Sequence, residues 1–530
     1  MNKLIKYANR YVGISNITML LIGSSLVAQL LGIIRTKLVN ANFPALGPNS
    51  TDAYFAAFNI PDFFFYTLAA GALGVAFIPV ITDHFAKKDK KAAYELTTSI
   101  LNLFAIVTFV AGVIIFIFAK QLVHSIVAPG LTPHQLNNTV IIMRLIAFNP
   151  LLFTLSGVLT SMQQSIGRFF FFAMGPILYN LSIIVSIFVF RGNVGLVGLG
   201  IGALVGGVLQ LGIIALGLID LDFHWTKKIF WRRKDFQTVM TNFPARAVGL
   251  GVNQVEGIVE THFAAGLGTG NISYYNNANI LQNAPVFLIG SAISTAVFPR
   301  LSKRMSIGRP DLMRIDFLRY LRIMIWMILP VTVICFFARG YLAHLIFARD
   351  SKQIASVFGF MAGAIVFSTI YTLISRWFFA KKDTMTPLYV SLFVIILNVI
   401  LAYELSRPSV YGVEGLALAQ SIVAALEVII LFSIMIVKDR KLINVNFIVG
   451  LIRIISVTGF TALTAYLMVS LFPLQLSDNG FLILGSKLGI ITIVALFVHI
   501  SLSRVFGLDE LKPVTTKFKQ IASKAFRTSS

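Results

Sequence analysis

Apolar stretches about 20 residues long recur along nearly the whole sequence, separated by short polar breaks. An α-helix needs a stretch of that length to cross a hydrocarbon core about 30 Å thick. We count about fourteen such stretches, at residues 16–40, 52–81, 92–119, 138–165, 171–190, 195–219, 236–266, 273–299, 317–338, 353–380, 387–405, 413–437, 446–472 and 482–505. Because 57% of the residues are hydrophobic and only 12% are charged, polar side chains are too few to cover a water-soluble fold. The sequence therefore predicts an all-α polytopic membrane protein.

The basic residues are distributed unevenly between the two sides of the predicted bundle. With an even number of helices both termini share one side, and that side carries Lys87, Lys88, Lys90, Lys91, Lys227, Lys228, Arg232, Arg233, Lys234, Lys303, Arg304, Lys381, Lys382, Lys438, Arg440 and Lys441. Basic loops face the cytoplasm in multi-pass proteins, so we expect both termini in the cytoplasm of a cell (inner) membrane. The outer segment 339–352, with Arg339, Arg349 and Lys352, is an exception. The net charge of +23 is explained by this topology, and nothing indicates a nucleic-acid partner.

Two halves of the sequence share landmarks about 217 residues apart. Gly195 to Gly202 (GLVGLGIG) is repeated as Gly412 to Ala419 (GVEGLALA), Ala76 to Pro79 as Ala296 to Pro299, and Pro176 as Pro387. We predict a six-helix lobe over 1–220, a second over 221–441, two additional helices over 442–505 and a basic cytoplasmic tail over 506–530. Six helices keep their orientation on repetition, so the lobes are expected to be parallel repeats about an axis along the membrane normal. Chance similarity between Gly- and Leu-rich segments is the alternative.

Polar residues inside membrane spans are the candidates for function, because they are costly there and normally face a cavity or a partner. The seventh span is the richest. Its Asn253, Glu256 and Glu260 share one helix face at i, i+3 and i+7, and Arg246 precedes them. A cavity lining for substrate or cation and a structural ion pair both explain this face. His262 is interpreted as a hydrogen-bonded polar residue rather than a ligand.

Three other spans carry substrate-binding candidates. The eighth begins with a run of phenols and amides that includes Asn277 and Asn279, which suit sugar or peptide groups but equally bridge neighbouring helices. In the first span Arg35 and Lys37 either bind a diphosphate or reach toward the membrane surface. Asp52 either has a functional role or caps the second span.

The absence of several chemical motifs argues against several functions. The sequence has no phosphate-binding Walker A loop, no HExxH zinc motif and no Asp-rich diphosphate–Mg²⁺ motif. A transporter without an ATPase motor is therefore expected, and not an enzyme.

Several short segments together resemble a known family. They are Leu31 to Arg35, Thr51 to Phe58 with Pro61, Gly71-Ala72, Ala76 to Pro79, Ala128-Pro-Gly130, Gly206 to Gln210, Val297 to Pro299 and Lys382 to Pro387. On these segments the chain resembles the MurJ (MviN) lipid II flippases of the MOP exporter superfamily.

The resemblance implies two six-helix lobes around a V-shaped cavity, a basic site for the pyrophosphate, and a groove beside the last two helices for the polyprenyl tail. It implies functional roles for Arg35 and Asp52, and a coupling cation, sodium or proton, near Glu260, Asn398 and Gln420. This sequence departs from the family pattern at four positions: family arginines are replaced by Gln29, Tyr66 and Ile280, and a family acid is replaced by Ala70. Lys37, Arg144 and Arg246 are the candidates to replace the missing cations.

The expected function is translocation of undecaprenyl-diphosphate-linked peptidoglycan precursor by alternating access, driven by membrane potential or a cation gradient, with no cofactor. A monomer suffices in the family, and partners from cell-wall synthesis are left open. A flippase for another lipid-linked oligosaccharide and a multidrug antiporter are alternatives. A nontransporting scaffold for cell-wall assembly is an alternative of another class, and a membrane glycosyltransferase is the least favoured.

Overall fold

The computed structural model describes residues 14–68, 72–219, 221–347, 349–475, 478 and 480–512, and every regular element in these ranges is helical. The chain divides into two compact units, Met1–Ser273 and Tyr274–Ser530. In the predicted basic tail, residues 513–530 lie outside the described residues, as do Ala70 and Gly71.

The first unit is built from nine described helices. They are α1 (Ile14–Asn42), α2 (Thr51–Leu68), α3 (Ala72–Ala86), α4 (Lys90–Leu122), α5 (Pro133–Ile146), α6 (Asn149–Ser165), α7 (Phe170–Phe190), α8 (Val197–Leu216) and α9 (Lys234–Gly266). A π-helical turn, Val123–Val127, extends α4. Local sequence fixes several helix starts: Asp89 accepts from the backbone N–H of Ala92, and Thr132 forms a capping box with Gln135.

The second unit begins within α10 and contains the remaining helices. They are α10 (Asn271–Pro285), α11 (Ala292–Ser306), α12 (Pro310–Phe337), α13 (Arg339–Ile346), α14 (Ser351–Ala380), α15 (Met385–Leu405), α16 (Val413–Lys438), α17 (Val445–Leu471) and α18 (Phe481–Val505). A π-helical turn, Val286–Ser291, joins α10 to α11, and a 3₁₀ turn, Asp509–Leu511, follows α18.

Among the described residues, eleven helical segments are long and apolar enough to cross a membrane. They coincide with eleven of the predicted spans. The other three predictions, 16–40, 52–81 and 236–266, are helical where described but are not among the eleven. The all-α membrane fold is therefore confirmed, whereas the count of fourteen spans stays a prediction.

Packing in both units leaves many large apolar side chains facing outward. In the first unit Phe77, Leu96 and Val158 are fully buried between α3, α4 and α6, while Phe109 and Phe116 on α4 are about half exposed. An outer surface with this many exposed large hydrophobic residues is unfavourable in water, but it matches hydrocarbon.

The repeat is visible in the backbone of each unit. Gly195 and Gly412 both have positive φ and lie two residues before α8 and one residue before α16, respectively. Three residues later, Gly198 and Gly415 each approach the preceding helix so closely that a Cβ would clash with Phe190 and with the carbonyl oxygen of Leu405. A positive φ favours glycine, and only glycine fits such a close approach, which gives the repeated motif a physical reason.

The unit boundary differs from the predicted lobe boundary at 220/221. Helix α9, the seventh predicted span, packs on α2 and α3 and belongs to the first unit. Packing and sequence repetition are different properties, so the four predicted domains stay predictions.

Candidate functional site

Asp52 lies in the first turn of α2 and is buried, with only 1% of its surface exposed. Its carboxylate accepts hydrogen bonds from the backbone N–H of Gly270 (2.5 Å) and from the backbone N–H (2.8 Å) and hydroxyl (2.5 Å) of Ser273. We call these three residues the Asp52 lock. It connects the start of α2 to the loop between α9 and α10.

Local backbone geometry makes the lock possible. Gly268 and Gly270 both have positive φ, which turns the short loop so that the N–H of Gly270 points at Asp52. The N-cap alternative for Asp52 is wrong, because Ser50 has that role. The Ser50 hydroxyl accepts from the backbone N–H of Asp52 at 3.1 Å. The Asp52 carboxylate is thereby left to bind the distant loop.

The predicted cations of α1 differ in their surroundings. Arg35 is half-buried and interacts electrostatically with Asp62, Tyr54 and Tyr66, which all belong to α2. Lys37 is exposed. Arg35 therefore lies near polar groups of its own unit.

Only part of the predicted polar face of helix α9 lies within the described residues. The side chains of Arg246 and Asn253 lie outside the described part, Glu256 is half-buried, and Glu260 is buried with 7% exposed. His262 forms a hydrogen bond through Nδ1 with the carbonyl oxygen of Ile126 at 2.7 Å. The interpretation of His262 as a satisfied polar residue is confirmed.

Two polar candidates of the second unit, Asn279 and Gln420, form hydrogen bonds with neighbouring polar side chains. Asn277 is fully buried, and Asn279 accepts a hydrogen bond from Asn283 one turn later on α10. The hydroxyl of Tyr275 donates to Gln420 on α16 at 3.4 Å, and Asn398 on α15 is buried. Glu260, the third member of the predicted cation site, belongs to the first unit, so that site stays a prediction. Among the described residues no group of three or more His, Cys, Asp or Glu side chains could hold a metal ion.

A second cluster was not anticipated from the sequence. We call His84, Glu95, Arg233 and Asp235 the basic-end clamp. Arg233 Nη2 and His84 Nε2 each lie 2.8 Å from Asp235 Oδ2, and Arg233 also forms an ion pair with Glu95 on α4. The clamp ties the start of α9 to α3 and α4. The sequence feature that could have indicated the clamp is the presence of two acids, Glu95 and Asp235, within strongly basic segments.

Comparisons with known proteins agree with one another. The family model described as "Lipid II flippase MurJ" matches residues 45–485. A relative from Borreliella burgdorferi named "Probable lipid II flippase MurJ" is 25% identical over 517 residues, covering 95% of this chain and 98% of the relative. A relative from Burkholderia cenocepacia named "Lipid II flippase MurJ" is 26% identical over 432 residues, covering 77% and 81%.

Solved structures show the fold. A structure titled "Lipid II flippase MurJ, inward closed conformation" superposes with a TM-score of 0.75 at 21% identity, covering 92% of this chain and 98% of that one. An inward-facing multidrug resistance MATE family transporter of the MOP superfamily superposes with a TM-score of 0.66 at 16% identity, covering 78% and 95%. The fold is therefore shared by transporters with different named cargoes.

Proposed function

The chain belongs to the MurJ family of lipid II flippases, and we propose that it carries lipid II, the undecaprenyl-diphosphate-linked peptidoglycan precursor, from the inner to the outer leaflet. The match of the family model over residues 45–485 carries this proposal. The protein is a multi-pass membrane transporter and not an enzyme. Because MATE transporters share the fold, the cargo is argued from the family and not from the fold.

The side rich in Lys and Arg faces the cytoplasm, and both termini lie there. Transport proceeds by alternating access, in which the two lobes open in turn to each side of the membrane. With no ATPase motif in the sequence, membrane potential or a cation gradient supplies the drive. A coupling cation binds near Glu260, Asn398 and Gln420.

The Asp52 lock is the outer closing element of this cycle. All three donors to the carboxylate are neutral, and two of them are backbone N–H groups, that of Gly270 in the short loop after α9 and that of Ser273 in the first turn of α10. If that loop moves, only the Asp52 carboxylate has to be solvated by the water that enters, whereas opening a buried ion pair leaves two charges to solvate, so the lock opens at lower cost. A reversible closure of this kind suits the release of cargo on the outer side.

The cargo contacts are assigned by chemistry. Arg35, with Lys37 and Arg246, binds the pyrophosphate, since guanidinium and ammonium groups are the natural partners of phosphate oxygens. Asn253, Glu256, Asn277 and Asn279 hydrogen-bond the sugar and peptide portion. The half-buried position of Arg35 beside Asp62 and Tyr66 supports its role.

The test is complementation of a bacterium depleted of its own lipid II flippase, scored by growth and by lipid II accessible at the outer face. We expect rescue by the wild type and its loss in Arg35→Ala and Glu260→Gln. Arg407→Ala and Glu404→Gln are matched controls, because Arg407 and Glu404 form an ion pair whose side chains are both about half exposed. A well-expressed wild type that never rescues would reassign the cargo to another lipid-linked glycan.

A further inference from the structure

A cavity of about 330 Å³ lies in the second unit, at the end that carries the Lys- and Arg-rich segments of the predicted cytoplasmic side. It is open to the surface and lies between the first half of α12, the start of α17 and the turn Asp509–Leu511. Its polar lining includes Arg319, Arg322, Lys512, Asn444 and Asn446. Its apolar lining includes Ile315, which is 60% exposed. Nothing in the transport cycle described above uses this cavity.

Arg322 is fixed in place by the packing around it. It forms an ion pair with Glu510, which is only 4% exposed, and its Nη1 donates to the carbonyl oxygen of Asn446 at 3.4 Å. Its guanidinium lies against α17 at Gly450, where a Cβ would clash with Arg322 Cζ. A buried carboxylate is tolerated only with such a partner, so Glu510 and Gly450 hold the arginine at the cavity.

The remaining charges make the cavity cationic. Arg319 is exposed and forms no hydrogen bond or ion pair with the residues that the structure describes, and Lys512 is paired with Asp509 at 2.6 Å. The pKa of Asp509 is lowered, first by the Lys512 hydrogen bond and also by the charges of Arg322 and Arg319, although partial burial raises it. The N-terminus of α17 adds partial positive charge beside Asn444. Three basic side chains thus face two acidic ones.

We infer that this cavity binds the phosphate of an anionic phospholipid of the cytoplasmic leaflet, with an acyl chain along the exposed apolar wall. Arg322 supplies a fixed guanidinium, and Arg319 a cation that can move to meet the phosphate. The apolar wall favours a lipid over free phosphate, since only a lipid would cover Ile315. The ligand is a resident lipid and not the transported cargo, so the inference does not depend on the proposed function.

The experiment is native mass spectrometry of the full chain in detergent, after delipidation, titrated with phosphatidylglycerol or with phosphatidylcholine of the same chains. We expect preferential binding of phosphatidylglycerol, and about five-fold weaker binding in Arg319→Gln, the factor that corresponds to about 1 kcal/mol per basic residue near a membrane surface. Lys512→Gln is expected to weaken binding by a similar factor. Both side chains are exposed, so these variants are expected to fold.

Arg309→Gln is the matched control, because Arg309 is an exposed arginine of the same end that does not line the cavity. Equal binding of phosphatidylglycerol in Arg319→Gln, Lys512→Gln and Arg309→Gln would overturn the site. Equal binding of the two lipids would overturn the requirement for an anionic headgroup. Complete displacement of phosphatidylglycerol by an equal concentration of inorganic phosphate would reassign the cavity to free phosphate.

Discussion

Helix α9 is held at its two ends by carboxylates in different surroundings. Beyond its C-terminal end, Asp52 accepts hydrogen bonds from two backbone N–H groups and one hydroxyl, all neutral. At its start, Asp235 binds the guanidinium of Arg233 and the ring of His84. With 33 residues, α9 separates these clusters by about 50 Å.

The difference follows from where each carboxylate lies. Asp52 is almost completely buried, where an arginine would have to be desolvated as well, while Asp235 lies in the basic segment that begins α9, where cations are plentiful. When neutral donors are released, only the one carboxylate has to be solvated, whereas opening an ion pair leaves two charges to solvate. The Asp52 lock therefore suits the end that opens, and the basic-end clamp suits an anchor.

Removing the carboxylate of the lock is expected to have the largest effect. Asp52→Ala leaves three buried donors without an acceptor, and each unsatisfied buried group costs about 1–3 kcal/mol. We expect the free energy of unfolding to fall by about 3 kcal/mol or more, measured as thermal stability in detergent, together with loss of rescue in the complementation assay.

Asp52→Asn separates the lock's geometry from its charge. The amide keeps one acceptor oxygen, so we expect the stability loss to fall to about half that of Asp52→Ala. If Asp52→Asn were as damaging as Asp52→Ala, the negative charge itself would be required, and the comparison between a lock of neutral donors and a charged clamp would fail.

Eleven membrane spans and the glycine turns of the repeat could be predicted from sequence because they rest on local patterns. An apolar run is contiguous, and the glycines of the repeat act on the turn and the helix beside them. The partners of Asp52 could not be predicted in the same way. Gly270 lies 218 residues away and contributes only a backbone N–H, and any residue except proline carries that group.

Breaking the basic-end clamp is expected to cost less than breaking the lock. Arg233→Gln leaves Glu95 and Asp235 without their shared cation, and these side chains are 24% and 12% exposed. Exposed pairs contribute up to about 1 kcal/mol, and breaking buried pairs costs about 3–5 kcal/mol, so we expect a loss near 2 kcal/mol. A double-mutant cycle with Glu95→Gln measures the coupling directly, and additive losses would contradict the clamp.

The clamp was missed for a different physical reason. Arg233 and Glu95 are 138 residues apart, and the sequence offers many basic residues of the same side as equally good partners for either acid. Charge complementarity alone does not choose among them. The choice is made by the packing of α9 on α3 and α4, which the apolar pattern does not encode residue by residue.

Acid should weaken the clamp in a predictable direction. Partial burial raises the pKa of Asp235. The hydrogen bonds from Arg233, Phe236 N–H and His84, together with the charge of Arg233, lower it by more, so the pKa of Asp235 lies below the ordinary value of 3.8. A carboxyl whose pKa is lowered on folding stabilises the fold above its ordinary pKa and loses that contribution as pH falls through the folded value. We expect the stability difference between wild type and Asp235→Asn to shrink as the pH falls below about 4. A difference that stays constant down to about pH 3 would contradict this assignment.

The smallest effect is expected at an exposed ion pair of the same basic end. Lys87 and Asp83 are joined at 2.7 Å, a distance as short as any in the clamp's pairs to Asp235, but their side chains are 69% and 58% exposed. Water already solvates both charges, so we expect Lys87→Gln to change the free energy of unfolding by less than about 0.5 kcal/mol. A loss as large as that of Arg233→Gln would mean that ion-pair geometry, and not burial, sets the strength of contacts at this end. If Lys87→Gln is as stable as wild type, burial is the property that distinguishes the ion pairs of the clamp from this exposed pair.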